Sequence, residues 1–331
     1  MPNCLNPTFN IPIITINNNK FKNTYPIGDK LLNKPSIASR EIVIPLKFNF
    51  TKNPSLGFLL SKITGADNNI WIELILEDIE NLYQVYSSDL DMYISPKYYN
   101  EISNDTISIN NFVISKEINA HIEASYVILD NPELTSIIAT PQIDILIEKI
   151  IISSDYSFTP GIDLVNELTL TNANTHIKEI IWTLKRDDYY KFNENTNYTN
   201  SIPENNDSSI MSKARIMFNK SMERVMDKDY VYYNSMQPYK HHTSIPKQGI
   251  YCYSFALYPE KEFLSGYYNA ALVKTNLLIY VKDTYNNNAL NQILSSIGKP
   301  TYTFNYHVNV YSICYNMFEI VGNQAGMKFT I

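Results

Sequence analysis

The stretch Tyr302-Thr-Phe-Asn-Tyr-His-Val-Asn-Val310, continued by Tyr311-Ser-Ile-Cys-Tyr-Asn-Met317, decides the fold. Tyr302, Phe304, Tyr306, Val308 and Val310 put an apolar side chain at every second position. That is the period of a half-buried strand, not of a helix. From Tyr311 the apolar set moves to odd positions, namely Tyr311, Ile313, Tyr315 and Met317. A phase change of this kind predicts a bulge or a new strand. The same two-residue period recurs upstream. Ile42, Ile44, Leu46, Phe48 and Phe50 alternate, with Pro45 marking an edge or a bulge. Further strands are expected over residues 70–76, 118–129, 143–152, 164–170, 177–184, 250–257 and 270–281, with a short one over 11–16.

Helix signals are few. Asp130-Asn-Pro-Glu133 opens a short helix, capped by Asp130 or Asn131, with Pro132 suited to its first turn. A second short helix is expected over residues 289–297, and 213–226 fits either a helix or a strand. Residues 84–115 read as mixed and containing a linker. The polar run 187–212 reads as a long surface loop. Many short strands, long loops and few helices point to a β-sandwich, of which the eight-stranded jelly roll is the common form.

Composition agrees. Among 331 residues there are 26 Tyr and 14 Phe, types that favour pleated, half-buried surfaces. Only 9 Gly are present, so abundant Asn, which tolerates left-handed backbone, can serve the turns. A net charge of -6, with no basic run longer than two residues, argues against direct binding of nucleic acid. No apolar run reaches a membrane span, and the first residues lack the pattern of a signal peptide, so synthesis in the cytoplasm is expected. Cys4, Cys252 and Cys314 show neither a disulfide framework nor zinc-motif spacing.

The candidate chemistry is thin. His241 and His242 are adjacent, and adjacent strand residues point to opposite faces, so the pair reads as part of a polar loop and no metal site or cofactor is expected. Asp187, Asp188 and Glu204 flank the long polar run and read as a solvated surface, because acid–base work needs facing carboxylates. No P-loop, nucleophile elbow or dinucleotide turn is present, so the chain is not expected to be an enzyme. Trp182, inside an apolar strand, reads as core.

Several stretches carry a resemblance. Ile42-Val-Ile-Pro45-Leu-Lys-Phe-Asn-Phe50 is followed by Asn53-Pro54. Tyr126-Val-Ile-Leu-Asp130 precedes Ile177-Lys-Glu-Ile-Ile-Trp182-Thr-Leu184. The most specific run is Tyr232-Tyr-Asn234, Gln237-Pro238-Tyr239, His241-His-Thr243, Pro246, then Gly249-Ile-Tyr251-Cys-Tyr-Ser254-Phe255-Ala-Leu-Tyr-Pro259-Glu260, with Ser265-Gly266 and Asn269 beyond. Together with Val310-Tyr-Ser-Ile-Cys-Tyr-Asn316, these resemble the major capsid protein family of nucleocytoplasmic large DNA viruses. The resemblance runs discontinuously over residues 40–331. It implies an all-β double jelly roll that trimerises into pseudo-hexameric capsomers of an icosahedral virion shell, with homotrimer mates and neighbouring capsid subunits as partners. It implies that the run from Gly249 to Glu260 packs into the core, that Gly266 makes a turn, and that the 187–212 loop faces outward or meets neighbours.

The chain also departs from that pattern. The expected division is a partial N-terminal jelly roll with linker over 1–110 and a C-terminal jelly roll over 111–331. The first part is too short for eight strands, and its early strands are expected to be missing or replaced by residues 1–40. Leu264-Ser265-Gly266 stands where the family has Pro-Ser-Gly. A divergent minor capsid or scaffold protein is the near alternative, and a jelly-roll carbohydrate-binding module the distant one.

Overall fold

A computed structural model describes residues 43–52, 57–63, 72–73, 75, 77–87, 90, 92–102, 121–160, 165–170, 175–202, 204, 208–220, 222–282, 294–296, 298 and 303–329. From residue 142 onward the chain builds a two-sheet sandwich. Its strands are β3 (Gln142–Phe158), β4 (Val165–Leu170), β5 (His176–Arg186), β6 (Met211–Phe218), β7 (Met222–Asp229), β8 (Ile250–Ser254), β9 (Tyr268–Asn269), β10 (Thr275–Val281), β11 (Tyr306–Val321) and β12 (Gln324–Met327). One sheet runs β3-β11-β5-β8, with β9 and β12 as short additions, and the other runs β4-β10-β6-β7. All these pairings are antiparallel.

Leaving aside the two short additions, eight strands remain. Counted in chain order, the first sheet reads first, eighth, third, sixth, and the second reads second, seventh, fourth, fifth. That interleaving is the jelly roll, in which alternate strands cross between two sheets. The inner faces meet in one core. Ile180, Trp182, Leu184, Tyr251, Tyr306, Val308 and Val310 come from the first sheet, and Leu168, Ala214, Ile216, Leu277 and Ile279 from the second. Fully burying each large side chain of this kind contributes about 1.5–3 kcal/mol.

β11 keeps the promised alternation, with Tyr306, Val308, Val310, Ser312 and Cys314 buried in turn. The change of phase is absorbed without ending the strand. β11 runs on to Val321, and its register slips between Ile313 and Cys314 against β5 and between Val308 and Val310 against β3. The odd-numbered Tyr311, Ile313 and Met317 lie half-buried on the other face. Residues 213–226, open between helix and strand, resolve as the β6–β7 hairpin. Phe218 pairs with Met222 across the connection, and Asn219 and Lys220, at φ 52° and 61°, take left-handed backbone in it.

Several expectations need correction. Of the alternating 42–50 segment, residues 43–48 form no strand, and Asn49 and Phe50 open one helical turn, α1 (Asn49–Lys52). Pro45 therefore marks neither an edge nor a bulge. Residues 121–129, the described part of the expected 118–129 strand, are irregular and all but Leu129 exposed, and so are Ile72 and Ile75 within the expected 70–76 strand. These segments have the period of a strand, but no described strand pairs with their backbone groups. The 11–16 strand lies outside the described residues, as does most of the 289–297 helix, of which 294–296 are helical. Residues 84–102 are more than linker. They form a hairpin of β1 (Val85–Ser87) and β2 (Met92–Ile94), then α2 (Pro96–Ile102). Val85, Ile94, Tyr98, Tyr99 and Ile102 pack with Phe192 and Leu294 into a second small core. The helix after Asp130 forms as α3 (Asn131–Ala139), with Asp130 at its N-cap position but no side-chain capping bond. Among the described residues, no helix is long and apolar enough to cross a membrane.

Candidate functional site

Most of the residues singled out in the sequence gather around β8, the edge strand of the first sheet. Trp182 sits at the centre of β5, opposite Tyr251 of β8, and is fully buried. The Tyr233 ring meets it edge-on at 5.0 Å between centroids, and the Tyr251 ring lies at 5.9 Å. Such aromatic pairs add about 0.5–1.5 kcal/mol each beyond burial. The phenols are tied at their far ends. Tyr233 donates to the Ala214 carbonyl at 3.0 Å, and the Tyr251 hydroxyl lies 3.1 Å from Ser209 Oγ. Burial pushes the Tyr251 hydroxyl up to about 12, so it stays a neutral hydrogen-bonding group.

The chain reaches β8 through a π-turn over Tyr232–Met236 and a short helix, α4 (Gln237–His241). Pro238 occupies the first turn of α4, where its missing N–H costs nothing. Asn234 donates to the carbonyls of Lys247 and Ile250 at 3.1 and 2.9 Å. Gln237 donates to the Tyr232 hydroxyl at 2.8 Å. Gly249 then enters β8 at φ +85°, and a Cβ there would overlap Tyr198 Cβ and the Tyr198 carbonyl oxygen. Only glycine satisfies both that backbone angle and that approach.

Beyond β8 the chain turns through 255–267. Ser254 Oγ donates to the Ala256 carbonyl at 2.8 Å. Phe255 packs its ring 4.4 Å from Tyr268 and 5.0 Å from Tyr253. The Pro259 carbonyl accepts from the buried Lys178 ammonium, which also pairs with Glu148 of β3. Glu260 accepts from the Thr243 N–H at 3.1 Å and faces His242 Nδ1 at 3.2 Å. Ser265 Oγ receives the Tyr258 N–H at 3.0 Å. Gly266 turns at φ +145°, where a Cβ would sit 2.6 Å from the Phe255 carbonyl. Asn269 folds its side chain onto the Ala271 N–H at 2.9 Å, closing the turn toward β10. Pro45 is exposed in the irregular 43–48 segment and joins none of these contacts.

The whole sandwich coincides with a family. Residues 135–326 match the family of the large eukaryotic DNA virus major capsid protein. The chain belongs to that major capsid protein family. Among curated relatives it is 28% identical to the "Probable capsid protein 4" of Acanthamoeba polyphaga mimivirus over 71% of this chain and 44% of that protein. It is 29% identical to a major capsid protein of Phaeocystis pouchetii virus over 35% of this chain and 20% of that one. The chain thus spans less than half the length of these curated relatives. A quasi-atomic model of the PBCV-1 virus capsid is similar at a TM-score of 0.46 and 21% identity, over 61% of this chain and 55% of that one.

In this capsid-family chain, some charged residues behave differently from their sequence reading. Asp188 is buried, not solvated. Arg186 grips it with two bonds, Nε–Oδ1 at 2.9 Å and Nη2–Oδ2 at 2.6 Å, donates to the Asn200 carbonyl at 2.9 Å, and lies 3.7 Å above the Phe304 ring. Asp187 accepts from the Asn305 N–H at 2.9 Å. Glu204 does stay at the surface, paired with Lys247 at 2.7 Å. The run 187–212 is accordingly no simple surface loop. It starts as a 3-10 turn over Asp187–Lys191 and buries Phe192, Asn197, Thr199 and Asn200. The sequence signal for buried charge is the pair Lys178-Glu179. Two adjacent charges inside an apolar strand imply that each finds a buried partner.

Proposed function

We propose that this chain is a structural, non-enzymatic capsid subunit of a large DNA virus, and that it trimerises into pseudo-hexameric capsomers of an icosahedral virion shell. The observation that carries this reading is the coincidence of the family match over 135–326 with the jelly-roll sandwich. The remaining proposals follow from it. The chain divides near residue 110 into a partial N-terminal jelly roll with linker and a C-terminal jelly roll. Its partners are its own copies and neighbouring capsid subunits, and it works in the virion after synthesis in the host cytoplasm. The residues around β8, from Gln237 to Asn269, serve as framework, not as reacting groups. Their bonds end on backbone and on side chains of the surrounding sandwich, which is how a rigid support is built.

Exposed apolar side chains beyond β8 support assembly. Leu257, Tyr258, Phe263 and Leu264 are all more than half exposed. Obligate subunit contacts are apolar and large, and they cover surface of this kind. Light scattering after size exclusion tests the proposal. One chain weighs 38.2 kDa, so a trimer weighs about 115 kDa. A stable species of that mass, lost in Leu264→Asp, is the expected result. A monomer at all concentrations would count against a capsomer-forming subunit and in favour of a minor component.

A further inference from the structure

Glu179, His242 and Cys252 bring one carboxylate oxygen, one imidazole nitrogen and one thiol sulfur within 4.8 Å of one another, and we propose that they bind a single Zn²⁺ ion that staples β5 to β8 and to the segment following α4.

The sheet register explains why they meet. Glu179 pairs with Ser254, and Ile181 with Cys252. With a side-chain period of two, Glu179 and Cys252 are diagonal neighbours on one face of the β5–β8 ladder. Trp182 and Tyr251, one position on, point to the opposite, inner face. The helix α4 then delivers His242 over that outer face. The site is enclosed, since Glu179 is 1% and Cys252 4% exposed. His242 Nε2 lies 2.5 Å from Glu179 Oε1, and its Nδ1 lies 3.2 Å from Glu260 Oε1. Glu260 is in turn held by the Thr243 N–H and hydroxyl. A metal-binding imidazole commonly gives its second nitrogen to a carboxylate in this way, which fixes the tautomer and the ring direction.

Charge and softness select the ion. A carboxylate and a thiolate together neutralise a divalent cation, so the buried cluster carries no net charge once the ion is in place. A donor set of one sulfur, one nitrogen and one oxygen suits Zn²⁺ and excludes the all-oxygen preference of Mg²⁺ and Ca²⁺. Three protein ligands leave a fourth position for water. Binding expels the Cys252 thiol proton to solvent and leaves His242 neutral, so uptake weakens as pH falls. The sequence hid the site because its ligands come from three separated elements and lack the close spacing of a zinc motif.

The test uses the full chain stripped with a chelator and titrated with Co²⁺, then Zn²⁺. The expected result is one ion per chain, tetrahedral d–d bands, and a thiolate-to-cobalt charge-transfer band that Zn²⁺ displaces. That band persists when Cys4 and Cys314 are both changed to Ser and vanishes in Cys252→Ser. His242→Gln, on a partly exposed segment, loses binding even if Cys252→Ser fails to fold. Glu260→Gln weakens affinity about 10- to 100-fold, as expected for a ligand's orienting partner. Absence of the charge-transfer band in the stripped parent chain, or equal uptake by the parent and His242→Gln, would overturn the proposal and leave an ordinary buried ion pair.

Discussion

Two apolar segments of this chain both read as strand in sequence and end differently. Ile177–Leu184 lies inside β5, with β11 on one side and β8 on the other. Residues 43–48 carry the cleaner alternation, in Ile44, Leu46 and Phe48, yet Val43 and Ile44 are 82% and 68% exposed and the backbone is irregular. Residues 121–130 repeat the lesson, with Ile128 94% exposed. Period decides which face of a strand is apolar. It does not supply the neighbours that take up the strand's N–H and C=O groups, and a strand without them is not stable in water.

The comparison breaks most easily at the centre of the paired region. Trp182→Ala should cost about 3–5 kcal/mol in denaturant unfolding, through the cavity it leaves between Tyr233 and Tyr251. Trp182→Phe should cost clearly less, because the indole Nε1 has no acceptor among the described residues and loses no bond. If the two variants are equally destabilised, packing is not what Trp182 contributes. Arg186→Met is expected to be comparably severe, about 3–5 kcal/mol, since it strands the buried Asp188 carboxylate without a partner. The double variant Arg186→Met with Asp188→Leu should recover most of that loss, and a cycle of the three measures the coupling. Gly249→Ala comes next, at about 1–3 kcal/mol, from the positive φ and the overlap with Tyr198.

The β6–β7 hairpin gives a smaller, pH-dependent effect. Hydrogen bonds from Arg215 and then Lys213 hold Asp227 below its ordinary value of 3.8. A carboxyl lowered by folding contributes stability that is present above its unfolded value and is lost as pH falls through the folded one. Asp227→Asn should therefore flatten the acid limb of the stability curve below about pH 4, and cost about 0.2–1 kcal/mol at neutral pH. Ile44→Ser should change monomer stability least, within about 0.5 kcal/mol. If the same change lowers the assembled mass instead, the unpaired segment finds its neighbours on another subunit.

Much of the sandwich was legible because several of its strands carry an apolar pattern of their own, whereas residues 213–226, which became β6 and β7, fitted helix and strand alike. Strands expected over 164–170 and 177–184 lie close to β4 and β5, and Trp182 is core as read, but the strand expected over 250–257 ends as β8 at Ser254, with Leu257 and Tyr258 exposed and not packed into the core as the resemblance implied. The hairpin turn at Asn219-Lys220 was not legible, because lysine is no signal for a left-handed turn. The burial of Asp188 was hidden for another reason. A polar run reads as solvated until its charges are seen to close on Arg186 and on backbone groups far along the chain. The cluster around His242 depends on strand register, which adjacent residues do not reveal.

One feature of the topology governs how the molecule can be made. β11 is 16 residues long and lies between β3 and β5, with Gln142 paired to Val321 across it. At a synthesis rate of about 5–20 residues per second, the first sheet's outer strand waits many seconds for the central one. Until then β3 and β5 each present an open edge, and β3 is 17 residues long. The jelly roll therefore cannot close before β11 has been made, and until then the open edges of β3 and β5 have to be kept from pairing with those of other chains.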